Sequence, residues 1–406
     1  MRNHHVLRGV ALVTTAVLAT TVGGAAAAYN RLQGNVTVAD VSALVGEAPE
    51  QPAPDPDDPL AGQEVNILLL GSDERDGENG EIGGDVEGMR SDTTIVVHIS
   101  ADRTRAELVS IPRDSIVDIP SCTMTDGSTS WAQSDAMFNT AFAIGWDQGG
   151  DLTSAAACTI KTVQANTGLT IDHFAVVDFV GFISMVDALD GVPICISEPL
   201  YSADAGLDLD AGYQTLDGTT ALAFARARKG TNLNGSDLQR TGRQQELIAA
   251  MVRQIQSQNI LTDVPNLMSF LSAATASLTV DPALSSLTDM AGLALSLRSL
   301  DRSAITFMTI PVTAWPEDPN RVVWTSEAAT VWANMVADQP IVATAEPAAD
   351  ASADPTPSAT TSASPSADPS ASSSATPSTD PTPSTTTTAE PGVDPFTADD
   401  ITAVCG

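Results

Sequence analysis

The hydrophobic pattern of this chain becomes strand-like at residue 65. Residues 65–70 (VNILLL) are apolar except for Asn66 and stop at Gly71-Ser72-Asp73, the pattern of a strand covered on both faces. Residues 93–100 (TTIVVHIS) and 106–111 (AELVSI) read as the next two strands. The turn between them is too short for a crossover, so they are expected to pair as an antiparallel hairpin. That pairing sets the start of the second strand, with Arg90 and Asp92, beside the end of the third, with Arg113 and Asp114. If the acidic, glycine-rich loop at 77–88 also brings the chain back antiparallel, Asp73 joins them at the same sheet edge.

Strand and helix patterns then alternate. A helix is expected near 150–166, a strand at 174–177 (FAVV), a helix at 179–189 and a strand at 192–197 (VPICIS). Asp217-Gly218 opens a short helix that ends in FARAR, where Arg226 and Arg228 share a side if the chain is extended. Ser236 or Asp237 caps a helix reaching about residue 257, with an apolar stripe at Leu247, Met251 and Ile255. Projected backwards at about 3.6 residues per turn, Arg240 and Gln244 fall on that inward stripe. A strand at 305–310 (ITFMTI) and a helix at 327–336 follow without a linker. The pattern predicts one α/β domain over residues 64–342.

Charge changes this picture at one place. The chain of 406 residues carries a formal net charge of −33 and only 18 Lys and Arg, yet residues 217–245 hold Arg226, Arg228, Arg240, Arg243 and Lys229. Guanidinium groups hold phosphate or carboxylate with a planar fork of donors. A buried cation at a helix N-terminus is unfavourable through both burial and the macrodipole, unless an anion sits there. Two readings follow: a polyanionic ligand, or ion pairs with neighbours such as Asp237 or Glu246. Acidity and an aromatic content of 4% exclude nucleic acid as a partner. His98 and His173, in or beside strands, read as structural.

The termini bear on location. Residues 1–8 are basic and residues 9–28 uncharged, about the ~20 residues needed to cross a hydrocarbon core. This reads as a transmembrane anchor with a cytoplasmic N-terminus and an extracytoplasmic remainder; a cleaved signal peptide is the alternative. Residues 29–63 contain PEQPAPDPDDP, a stiff acidic spacer, and 343–406 are rich in Ser, Thr, Pro and Ala, expected to be a disordered tail. Cys122, Cys158, Cys195 and Cys405 lack zinc-site spacing, so two disulfides outside the cytoplasm are expected. Cys122–Cys158 would close an irregular excursion, leaving Cys195 with Cys405.

Five segments then resemble the LytR–CpsA–Psr family in order and register: GSDERDG at 71, RSDTTIVV at 90, SIPRDSIVDIP at 110, the TLDGTTALAFARARKG run, and DLQRTGRQQ at 237. The cysteines after the third segment resemble its actinobacterial members. The resemblance implies an α/β/α sandwich around a mixed central sheet. It implies a phosphotransferase that moves a glycopolymer from a polyprenyl-pyrophosphate carrier to peptidoglycan, through a phosphodiester to a muramic acid hydroxyl. Arg90, Arg113, Arg226, Arg228 and Arg240 would hold the pyrophosphate, with Lys161 and Gln244 as further contacts. Asp73 and Asp92 would position Mg²⁺, a hard cation suited to carboxylates, phosphate oxygens and water. Asp92 is also the candidate base, beside Arg113, Arg226 and Arg228 in the catalytic set. Two other activities fit the same residues, a polyprenyl-pyrophosphate hydrolase and a non-catalytic regulator that binds wall polymer or carrier lipid.

Overall fold

The structure, a computed structural model, describes residues 36–46, 62–73, 79, 82, 88–258, 270, 273, 278–342 and 389–400. The expected anchor at 9–28, the tract PEQPAPDPDDP and most of the acidic loop after Asp73 lie outside them. Among the described residues, no helix is long and apolar enough to cross a membrane.

The core is a mixed sheet of β1 (Thr37–Val38), β2 (Val65–Ser72), β3 (Ser91–Ile99), β4 (Ala106–Ser110), β5 (His173–Val177), β6 (Leu278–Val280), β7 (Ile305–Thr309) and β8 (Phe396–Thr397). Their order is β1-β6-β5-β2-β3-β4-β7-β8. The apolar run Ile67 to Leu70 suits β2 to its central place, parallel to β5 on one side and antiparallel to β3 on the other. The β3–β4 hairpin forms in the register Ile99↔Ala106 to Ile95↔Ser110, and Arg103 takes φ 58° in its turn.

The helices are α1 (Thr140–Gly149), α2 (Leu152–Thr167), α3 (Phe179–Asp187), α4 (Gly218–Arg226), α5 (Asp237–Ser257), α6 (Leu287–Ser296) and α7 (Ser326–Val336). Several start where a short polar side chain accepts an orphan backbone N–H: Asp151 for α2, Asp178 for α3, Asp217 for α4 and Ser236 for α5. Period-two alternation along the strands divides the core. Leu68, Leu70, Val96 and Val109 face Phe138, Phe142, Ile160 and Trp332, from the turn before α1 and from α1, α2 and α7. Ile95, Leu108 and Phe307 face Ala249 of α5 on the other side. Phe138 and Phe142 are therefore plain core, 2% and 0% exposed. A separate apolar cluster joins α4 to strands Val192–Ile196 and Gly212–Leu216, with Phe182 of α3 packed against it.

His98 is buried within β3. Its Nδ1 lies 2.8 Å from Asn66 Oδ1 and its Nε2 3.1 Å from Asp338 Oδ1, tying the sheet to the residues after α7. Burial lowers its pKa, outweighing Asp338. Cys122 and Cys158 are joined by a disulfide that staples the excursion before β5 to α2. Cys195 is also disulfide-bonded, while its expected partner Cys405 lies outside the described residues.

The domain boundaries differ from expectation at both ends. Part of the expected spacer is folded: β1 pairs in parallel with β6, and Ala39 is buried. A strand of two residues is too short to show a period. Part of the expected disordered tail is folded too. After residues 343–388, which lie outside the description, the chain returns at 389, and β8 pairs antiparallel with β7. Phe396 stacks on Phe307, with ring centroids 5.2 Å apart. One buried aromatic, worth ~2–3 kcal/mol in transfer free energy, anchors a segment that composition alone marks as disordered.

Candidate functional site

The hairpin gathers the first half of the site. The Asp73 backbone N–H donates to the Arg90 carbonyl at 3.0 Å, and the Arg90 N–H donates to Asp73 Oδ1 at 2.5 Å. Asp92, two residues on, receives Arg113 Nη1 at 2.7 Å. Arg113 Nε also lies 3.4 Å from Asp237 Oδ1 and 3.7 Å from Asp114 Oδ1. Asp114 is shared with Arg321, whose Nη1 is 2.9 Å away. The carboxylates and arginines drawn to one edge by strand order do meet there.

Helix α5 supplies the second half through its first turn. Ser236 caps the helix, which leaves Asp237, the first helical residue, to turn inward. Asp237 Oδ2 accepts the Arg113 backbone N–H at 3.1 Å, and its Oδ1 is 2.5 Å from Arg240 Nη2. Arg240 is 3% exposed and reaches Asp92 as well, with Nη1 3.3 Å from Oδ2 and Nη2 donating to the Asp92 carbonyl at 2.9 Å. The inward stripe thus carries Arg240 as expected, and its burial is offset by two carboxylates. Arg243 serves packing instead: its Nε donates to the Phe224 carbonyl and its Nη2 to that of Ala227, so it clamps the end of α4. Burial, with the Arg240 charge beside it, lowers the Arg243 pKa to about 10.

Arg228 enters from the segment after α4, and its neighbours in the electrostatic field are Arg113, Arg240, Asp237 and Asp114. Among the described residues its guanidinium forms no hydrogen bond and no ion pair within 4.0 Å, and its Nε is buried. Burial and the adjacent guanidiniums lower its pKa. Burial works to raise the pKa of Asp92, but Arg240 and Arg113 outweigh it and leave the carboxyl below its ordinary value. For Asp237 burial prevails over the same arginines, and the pKa rises. The Nε–H groups of Arg113, Arg228 and Arg240 are all buried and make no hydrogen bond among the described residues, although that of Arg113 lies 3.4 Å from Asp237 Oδ1. Such donors carry a desolvation penalty of ~1–3 kcal/mol each until an anion meets them.

Other expected contacts are placed elsewhere. Arg226 does not share a side with Arg228 on an extended chain, because α4 continues through it; its guanidinium lies 4.4 Å over the Phe179 ring and donates to the Ile82 carbonyl at 3.3 Å. Arg90 is exposed at the rim. Gln244 is half-buried and donates to the Ala225 carbonyl, supporting α4. Lys161 is not brought to the arginines: its Nζ donates to the Ser121 carbonyl at 2.8 Å, beside the disulfide. The resemblance reached Lys161 outside its five matching segments, so it fixed no register for this helix toward the distant strand ends. Asp237 was legible only as a cap or a counter-ion, although its position three residues before Arg240 puts both on one helix face. Nothing local marks Arg321.

The expected metal site can be judged by its donors. Asp73 and Asp92 stand on adjoining strand ends linked through the Arg90 backbone, and the arginines hold Asp92 toward its ionised form. Among the described residues no cluster of three or more His, Cys, Asp or Glu side chains could hold a metal alone. Two carboxylates completed by phosphate oxygens and water make an ordinary Mg²⁺ environment. The donor set fits.

Comparisons with known proteins identify the relatives of this chain. The chain is 32% identical over 266 residues to cell wall biosynthesis protein LcpA of Corynebacterium glutamicum, covering 62% of this chain and 50% of that protein. It is 32% identical over 206 residues to the Bacillus subtilis polyisoprenyl-teichoic acid–peptidoglycan teichoic acid transferase TagT, covering 49% of this chain and 54% of that protein. The matched part spans about half the length of such relatives. The fold is similar to a LytR-Csp2A-Psr enzyme from Actinomyces oris, with TM-score 0.51 at 20% identity over 74% of this chain and 96% of that one. The family model described as the LytR_cpsA_psr family matches residues 29–337, and the chain belongs to that family.

Proposed function

We propose that this chain is a phosphotransferase that takes a glycopolymer from a polyprenyl-pyrophosphate carrier and joins it to peptidoglycan. The observation that carries this reading is the convergence of Arg113, Arg228 and Arg240, of which Arg228 makes no hydrogen bond or ion pair among the described residues. A pyrophosphate presents oxygens in the number and geometry these planar forks accept. The printed name of the TagT relative, with its polyisoprenyl carrier and peptidoglycan acceptor, supports the same substrate classes.

In this reading Arg113, Arg228 and Arg240 neutralise the charge of the phosphoryl group in transfer and of the departing carrier phosphate. Arg226 and Arg90, at the rim, meet the outer phosphate or the first sugar. A muramic acid hydroxyl of the acceptor forms a new P–O bond to the polymer-bearing phosphorus. The bond to the bridging oxygen breaks, and polyprenyl monophosphate leaves. The hydroxyl proton passes to the Asp92 carboxylate. Its lowered pKa makes it a weak base, which a loose transition state tolerates because the proton leaves late. Asp73 and Asp92 would hold Mg²⁺, which supplies charge neutralisation at the pyrophosphate oxygens. The domain would stand outside the cell on a single N-terminal span at residues 9–28.

Purified protein incubated with a lipid-linked glycan and peptidoglycan tests the reading. Transfer predicts glycan phosphate covalently joined to muramic acid. Polymer released with no acceptor linkage would make the protein a hydrolase, and carrier bound but unchanged would make it a binding regulator.

A further inference from the structure

The two carboxylates inside the arginine cluster are not equivalent. Asp237 has a side chain only 7% exposed, fixed by the Arg113 backbone N–H and by Arg240 at 2.5 Å. It sits in the first turn of α5, where the helix dipole favours a negative charge. Asp92 has a side chain 37% exposed, and both its carboxylate oxygens are spent on guanidinium groups: Oδ1 on Arg113 Nη1 at 2.7 Å, Oδ2 on Arg240 Nη1 at 3.3 Å. Those donors belong to the arginines that the phosphate reading requires, and a guanidinium fork cannot give the same N–H fully to two anions at once. A phosphate that takes the Arg113 and Arg240 Nη1 donors now facing Asp92 must therefore move it.

We propose that Asp92 is a built-in stand-in for the substrate's phosphate: it occupies the Arg113 and Arg240 forks in the free protein and is displaced by pyrophosphate, while Asp237 stays as the fixed anchor of both arginines. This rests on the anion-binding reading above and adds an order of events to it. The cluster stays charge-balanced without ligand, so the desolvated arginines do not repel one another open. Phosphate arrival then exchanges one anion for another on preorganised donors. The displaced carboxylate, turned from the arginines toward the strand end where Asp73 stands, becomes available to metal or acceptor hydroxyl only when substrate is present. The exposed position of Asp92 lets it leave; the burial of Asp237 holds it in place.

Calorimetric titration of the whole protein with inorganic pyrophosphate, in EDTA and again with Mg²⁺, tests this. In EDTA, Asp92→Asn removes the competing charge and is expected to bind pyrophosphate roughly 10-fold more tightly than wild type, about the worth of one charge-assisted pair. Asp92→Glu, which keeps the charge, is expected to bind no more tightly than wild type, and Asp237→Asn more weakly. Mg²⁺ is expected to strengthen binding to wild type by a larger factor than to Asp92→Asn. Equal or weaker binding by Asp92→Asn in EDTA, with wild type still binding, overturns the stand-in role and leaves the phosphate site intact. If neither protein binds pyrophosphate, the anion-binding reading falls and the stand-in role with it. Should Asp92→Asn fail to fold, Asp92→Ala carries the same comparison.

Discussion

Removing Arg228 and removing Arg240 are expected to injure the protein in different ways. Arg228 makes no ion pair within 4.0 Å among the described residues, so Arg228→Ala should leave the unfolding free energy within about 0.5 kcal/mol of wild type or slightly higher. Its polymer transfer should nevertheless fall by at least 100-fold, since a preorganised donor to transition-state charge is lost. Arg240→Ala strands Asp237 in a site 7% exposed and should cost about 3 kcal/mol in denaturant unfolding. An Asp237→Asn change in the same chain should return part of that loss. His98 gives a pH dependence of known sign. Its folded pKa lies below the unfolded value of 6.5, so the unfolded chain binds more protons as pH falls below about 6.5. Stability should therefore drop between pH 7 and pH 5.5, and less so in His98→Gln, measured by thermal unfolding. At this scale the sequence located residues better than partners. Strand order placed Asp92 beside Arg113, because pairing register is a local rule. Whether Arg240 faced a ligand or a carboxylate depended on Asp92, 148 residues away, which no local rule reaches.

Helix α5 is the element that couples the site to the rest of the fold. Gln245, on its buried face, donates through Nε2 to Ser110 Oγ and Thr309 Oγ1, and its Oε1 accepts the Gly392 N–H at 3.2 Å. Gly242 packs so closely on the Pro391 carbonyl that a Cβ there would collide with it. Helix propensity alone would make Gly242→Ala stabilising by ~1 kcal/mol. The expected result is instead a net loss of stability, small or absent once residues 389–406 are deleted. Phe396→Ala should cost about 3 kcal/mol by emptying the stack on Phe307. The central strands and the helices around them could be read from periodicity because each is long enough to show its period. β1 and β8, of two residues each, could not, and low-complexity composition around them hid their pairing.

At the scale of the whole molecule, a chain with net charge −33 gathers several of its few arginines, with the carboxylates that balance them, at the ends of its central strands. The Cys122–Cys158 disulfide, closing a separation of 36 residues on the flank of α2, should contribute roughly 3–4 kcal/mol, so the double variant Cys122→Ala and Cys158→Ala should lose about that much in denaturant unfolding. Fold class was legible in the alternation of strand and helix patterns. The mixed sheet order was not, because β7 arrives beside β4 from nearly 200 residues on, through a parallel pairing set by packing. The central claim is that the arginines at these strand ends hold a pyrophosphate while its polymer passes to an acceptor. The most direct measurement is mass spectrometry of muropeptides after incubation with lipid-linked glycan, peptidoglycan and Mg²⁺. The expected result is glycan phosphate on muramic acid together with polyprenyl monophosphate, both absent with Arg228→Ala. Free polymer without an acceptor linkage, or wild-type yield from Arg228→Ala, would contradict it.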